Sequence, residues 1–143
     1  MNMKKIQKRI VALLCLTMLM LTSCADKKIP AGAQDFIKQY FPDTSVVLVE
    51  IDEEDDEMEY SVWLNDGTKV DFDMQGDWKR VARKKTGVPA NLIPTAIAQY
   101  MKENHPEAAI FKLSKKDYGY KIELSTDIAL KFNEQGQFLT MDD

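Results

Sequence analysis

From residue 29 onward the sequence runs through one pattern twice, and this self-similarity constrains the fold more than any other feature. Ile29-Pro30 opens a segment that passes through Phe36, Ile37, Lys38 and Pro42 to the apolar run Val46 to Val49. Ile93-Pro94 opens another, through Tyr100, Met101, Lys102 and Pro106 to Ile110 and Leu113, 64 residues later. The offset then falls to 60: Tyr60, Val62, Leu64, Val70, Phe72, Gln75, Gly76 and Trp78 recur as Tyr120, Ile122, Leu124, Leu130, Phe132, Gln135, Gly136 and Phe138. The four-residue slip falls in one loop. A supersecondary unit repeated at such spacing leaves an apolar face that its neighbour must cover, so the two copies are expected to share a core.

Within each copy the hydrophobic period changes. Pro30 and Pro94 suit a first helical position, where a missing N–H costs nothing, and Pro42 and Pro106 stop the helices because the residue before Pro avoids the α region. Between them Ala33, Ile37 and Tyr40/Phe41, and in the second copy Ile97, Tyr100 and Met101, form one apolar stripe per helix. The period then becomes two. Tyr60-Ser61-Val62-Trp63-Leu64 and Val70-Asp71-Phe72-Asp73-Met74 alternate across Asn65-Asp66-Gly67-Thr68, a composition suited to a tight hairpin turn. Tyr120 to Leu124 and Leu130 to Phe132 repeat the arrangement, strands at 46–51 and 110–115 precede the hairpins, and Gly76 and Gly136 lead into final strands at Trp78 and Phe138. A further short turn is expected over 89–92. The predicted fold class is α+β: two tandem helix-plus-antiparallel-strand repeats, 29–81 and 89–143, forming one sheet with helices packed on one face of a single domain, 29–143.

The first residues read as an address. Lys4, Lys5, Lys8 and Arg9 precede an apolar stretch, Ile10 to Leu21, and Leu21-Thr22-Ser23-Cys24 follows at once, the layout of a cleaved export signal over 1–23. Twelve residues rise only about 18 Å as helix, against a hydrocarbon core of about 30 Å. The last four residues resemble a bacterial lipobox. That resemblance implies that Cys24 is the lipid attachment site and that 24–28 is a lipidated tether to a membrane surface. Cys15 leaves with the signal, so the mature domain has no disulfide and no Cys-based site. Four cations and no acid leave with it, so the formal charge goes from −4 to −8. Nucleic acid is a poor partner for such a surface, and attachment to anionic headgroups must come from lipid rather than charge. A lipid-anchored position facing the periplasm is expected.

The tandem helix entered through Ile-Pro and closed by Pro42 or Pro106, the Tyr-x-[Val/Ile]-x-Leu and [Val/Leu]-x-Phe strands, and the Gln-Gly turn, all behind a lipobox, resemble the PepSY-like family of exported bacterial proteins. That family is similar in fold to the beta-lactamase-inhibitory proteins. The resemblance spans roughly 29–141 and implies the fold; it carries no functional residue onto this chain.

Signatures of catalysis are missing from the sequence. His105 is the sole histidine and sits at a helix end, where a cation suits the helix dipole. There is no His-Glu-x-x-His, Gly-x-Ser-x-Gly or Gly-rich phosphate loop. The expected function is a non-catalytic envelope binding module, a protein inhibitor or regulator whose partner is an envelope protein or peptide. If Tyr60, Val62, Leu64 and Phe72 face the helices, alternation turns Ser61, Trp63, Asp71 and Asp73 outward, with Val46 and Leu48 beside them. An outward Trp among aliphatics suits a protein contact. The alternative is a divalent-cation site: Asp52, Glu53, Asp55 and Asp56, within the acidic run Asp52 to Glu57, offer hard oxygen ligands to Ca²⁺, although they lack EF-hand spacing.

Overall fold

A computed structural model describes residues 29–142; the expected signal, Cys24 and the tether lie outside the described residues. The elements are α1 (Ala31–Tyr40), β1 (Val46–Glu54), β2 (Glu57–Leu64), β3 (Lys69–Asp73), β4 (Trp78–Ala82), a 3-10 turn (Ala90–Leu92), α2 (Thr95–Asn104), β5 (Ile110–Lys116), β6 (Gly119–Leu124), β7 (Ala129–Asn133) and β8 (Phe138–Asp142). The eight strands make one antiparallel sheet in chain order, β1 to β8. The fold is therefore α+β, with a helix and four strands in each half of the chain.

Each helix forms for the reasons read from its flanks, with one shift. Pro30 and Pro94 stand at the N-cap, one residue before the expected position, with extended ψ of 153° and 138°. At the other ends the backbone N–H groups of Phe41 and His105 donate to Ile37 and Met101, both at 2.8 Å. The buried stripe is Ala33 and Ile37 in α1, and Ile97 and Met101 in α2. These meet fully buried Val62, Val70, Phe72 and Val81 in the first half and Leu113, Ile122, Leu130 and Phe132 in the second. Each such side chain contributes about 1.5–3 kcal/mol through burial. Aromatic packing also recurs. Phe36 lies edge-on to Phe72 at 5.5 Å and stacked on Trp78 at 5.9 Å; Tyr100 lies edge-on to Phe132 at 5.3 Å and stacked on Phe138 at 4.9 Å. Helix and sheet meet closely where the Gln-Gly turns pass beneath the helix starts. A Cβ on Gly76 would lie 2.8 Å from that of Pro30, and one on Gly136 would lie 2.8 Å from that of Ala96.

Four β-bulges interrupt the strict alternation assumed from the sequence. The register skips Val47 in β1, Lys79 in β4, Phe111 in β5 and Leu139 in β8. An extra residue reverses the phase of the side chains that follow it. Val46 and Val49 consequently both pack against the core, which corrects the expectation that Val46 faces outward. In β4 the bulge lets Trp78 and Val81 both face the helices, while Lys79 and Arg80 share the opposite face.

Candidate functional site

The face away from the helices carries one row of side chains in register across all eight strands: Glu50, Ser61, Asp71, Arg80, Ser114, Lys121, Lys131 and Thr140. Its acids lie in the first half and its lysines in the second. The first half holds a buried ionic cluster on this face. Arg80 reaches Asp71 through Nε at 3.4 Å, Glu59 through Nη2 at 3.4 Å, and Glu54 through Nη1. Lys79 Nζ lies 3.1 Å from Glu57 and 3.4 Å from Glu59, Lys69 Nζ lies 3.3 Å from Asp71, and Ser61 Oγ donates to Asp71 at 2.7 Å. The Glu59 and Asp71 side chains are only 1% and 2% exposed. Two carboxylates this deep persist because cations and a hydroxyl bracket them. Burial, reinforced by the Asp71 charge, raises the Glu59 carboxyl above its ordinary range, and Arg80 and Lys79 oppose this only in part. Burial lowers the affinity of Lys79 for its proton, but Glu57 and Glu59 more than offset this, leaving its pKa raised.

The residues expected to form a contact face are divided by the structure. Trp63 is half-buried and pairs across the strands with Leu48, which is 46% exposed, and Lys69 Nζ sits 4.9 Å from the Trp63 ring. Trp63 and Leu48 therefore lie together on the outer face. Ser61 and Asp71 share that face but are buried in the ionic cluster, which corrects their placement as exposed contact residues. Glu59 and Arg80, the centre of the cluster, escaped the sequence reading. The signal was a charged residue, Glu59, standing in an alternating strand where the second copy has Gly119.

The acidic run forms the end of the β1–β2 hairpin. Asp52 to Glu54 continue β1, Glu57 opens β2, and only Asp55 and Asp56 make the turn, with φ of 54° and 63°. Pairing opposite Glu59 places Asp52 on the outer face, whereas Glu53 pairs with Met58 one step along and points the other way. Glu54 and Glu57 are engaged by Arg80 and Lys79. Among the described residues no group of three or more His, Cys, Asp or Glu side chains is arranged to hold a metal ion. His105 ends α2 with its ring 6.2 Å from that of Tyr100.

The acidic tip instead forms one wall of a cleft of about 290 Å³. Glu54, Asp55 and Glu57 line one side, Lys116, Asp117 and Tyr118 from the β5–β6 tip the other, and Lys79 and Arg80 the floor. A second hollow, about 330 Å³, lies in the second half beside Lys121, Glu123 and Ala129. By register, Trp63 and Lys69 hold the corresponding places in the first half. Geometry of this kind can hold an extended, charged segment on a rigid floor. It presents no paired nucleophile and base.

A family model described as "Putative beta-lactamase-inhibitor-like, PepSY-like" matches residues 58–140, more than half of the chain. A solved structure from Bacteroides vulgatus, "a putative periplasmic protein of unknown function", is 31% identical with a TM-score of 0.77, covering 81% of this chain and 93% of that one. A "putative calcium-regulated periplasmic protein" from Bacteroides thetaiotaomicron is 35% identical, TM-score 0.75, over 81% and 91%. Another Bacteroides vulgatus periplasmic structure is 32% identical, TM-score 0.73, over 81% and 91%. No curated protein matches the chain. Nothing in these relatives indicates catalysis, and no helix among the described residues is long and apolar enough to cross a membrane.

Proposed function

From the premise that the chain belongs to the PepSY-like family, we propose that it is a non-catalytic binding module of the cell envelope, lipid-anchored through Cys24 and facing the periplasm. Its occupant is an extended segment of an envelope protein or peptide, laid across the outer face between the hairpin tips, and inhibition or regulation of that partner is the expected result. The observation that carries this reading is the pairing of Leu48 and Trp63 on the same face as a charged cleft with a floor held by Arg80 and Lys79. Aromatic anchors of this kind supply much of the energy of protein contacts, and opposite charges on the two tips would orient an incoming segment. The test is affinity capture from envelope extract with the exported chain and its Trp63→Ala variant. A partner retained by the parent and lost by the variant supports the reading; equal retention by both removes Trp63 from the site. Intact mass of the exported protein, with and without Cys24→Ser, tests the anchor.

A second reading, Ca²⁺ binding at the acidic hairpin end, is favoured by the relative from Bacteroides thetaiotaomicron named as calcium-regulated. Asp52, Asp55 and Asp56 would have to converge by bending the tip, with Glu53 turned towards them. Calorimetric titration with Ca²⁺ at millimolar concentration decides it: heat lost in an Asp55→Asn/Asp56→Asn variant supports the site, and no heat in the parent removes it.

A further inference from the structure

The two edges of the sheet are made of the same parts that already join in its middle. At the centre β4 pairs with β5: Arg80 with Ser114, Val81 with Leu113 and Ala82 with Lys112. By the sequence offsets, β8 occupies in the second half the position of β4, and β1 occupies in the first half the position of β5. Val81 and Leu113 are fully buried at their junction. Their counterparts are Met141, 49% exposed on β8, and Val49 on β1. Lys115 lies over the Trp78 ring at 4.2 Å, and the counterparts of that pair are Ile51 and Phe138, both apolar and both exposed. Each edge thus displays the half of a contact whose other half stands on the opposite edge.

We propose that β8 of one copy pairs antiparallel with β1 of a second copy, head to tail, reproducing the β4–β5 junction between molecules. The register that follows places Thr140 against Glu50, Met141 against Val49 and Asp142 against Leu48 of the second copy. Charge supports the same partner. Lys121 and Lys131 stand directly opposite each other on the second half of the outer face, a like-charge pairing that Asp142 of β8 offsets through its ion pair with Lys131 at 2.9 Å. The incoming strand would extend their row with Glu50. The bulges at Val47 and Leu139, devices that normally blunt edges, do not prevent this pairing, because Phe111 and Lys79 form the same bulges at the junction that exists. The covalent linker through buried Val88 and Leu92 is absent between molecules, so association is concentration-dependent. Being heterologous, it continues from copy to copy beyond a dimer, into an open chain or a closed ring.

Sedimentation velocity of the exported chain from about 1 μM to about 1 mM reads the association directly. Met141→Asp and Ile51→Asp change exposed side chains on opposite edges, and unchanged melting curves establish that both variants fold. Each alone is expected to weaken self-association by tenfold or more. Mixed together they restore a one-to-one dimer, because one retains an intact β1 and the other an intact β8. A parent that remains monomeric throughout overturns the proposal. Loss in only one variant assigns the contact to symmetric edge pairing and also overturns it, as does association only with a different protein.

Discussion

The two halves of the sheet share helix, register, bulges and aromatic packing, yet their outer faces carry different chemistry. Where the first half has Glu59, Ser61, Asp71, Lys79 and Arg80, the second has Gly119, Lys121, Lys131, Leu139 and Thr140. One set closes over itself as a buried ion cluster; the other sets Lys121 opposite Lys131, whose ion pair with Asp142 is solvent-accessible, and leaves a hollow beside Glu123. The helix-facing residues must fill a fixed volume and therefore stay alike, from Phe72 and Phe132 to Val62 and Ile122. The outer face is released from that constraint, and the halves diverge there.

The most severe way to break this comparison is to force the second half to resemble the first. Gly119 replaces Glu59, has φ of +138°, and an added Cβ would lie 2.2 Å from the Asn133 carbonyl carbon. Gly119→Ala is expected to cost about 4 kcal/mol by urea denaturation, from backbone strain together with overpacking. Gly119→Glu is expected to lose the folded state, read as loss of soluble protein. Next in size is removal of the central cation. Arg80→Ala strands Glu59 and Asp71 and should cost about 3 kcal/mol, whereas Thr140→Val at the matching place should change stability by no more than about 0.5 kcal/mol. Comparable losses would mean that the ion cluster does not distinguish the halves.

A smaller contrast comes from the final strands. Trp78 is covered by Phe36 and Lys115, but Phe138 stands on the open edge at 41% exposure. Trp78→Ala should cost about 3 kcal/mol and Phe138→Ala about 1.5 kcal/mol, compared by thermal melts at low protein concentration. The smallest effect is a pH dependence. The folded Glu59 pKa is raised, so its contribution is complete below the unfolded value near 4.5 and is lost as pH rises through the folded value. The stability of the parent relative to Glu59→Gln should therefore fall with increasing pH above 4.5. A constant difference from pH 4 to pH 8 would remove burial of Glu59 as the cause.

Much of the architecture was legible because it rests on periodicity. The stripes of α1 and α2, the hairpins around Gly67 and the Gln-Gly turns all appear in the residue pattern, and so does the outward placement of Trp63. The bulges were not legible. A single extra residue leaves composition untouched and only inverts phase, so Val46 was turned the wrong way and the Lys79-Arg80 pair went unread. Ser61 and Asp71 were placed on the correct face with the wrong exposure, because alternation gives direction but says nothing about neighbouring Arg80 covering them. For the acidic run, charge density suggested a shared set of oxygen ligands, whereas the hairpin continues through it and alternation sends Asp52 and Glu53 to opposite sides.

The strand order has a kinetic consequence. Every strand pairs only with those immediately before and after it in the chain, so six of the seven pairings close short hairpin loops, only β4–β5 spans the segment that carries α2, and contact order stays low for a structure so rich in strands. A polypeptide delivered N-terminus first can close α1 over β1 to β4 while its remaining residues are still arriving, and β4 then serves as the template on which β5 assembles. No segment must wait for a partner that has yet to emerge, which shortens the interval during which the apolar strands are exposed to misassembly.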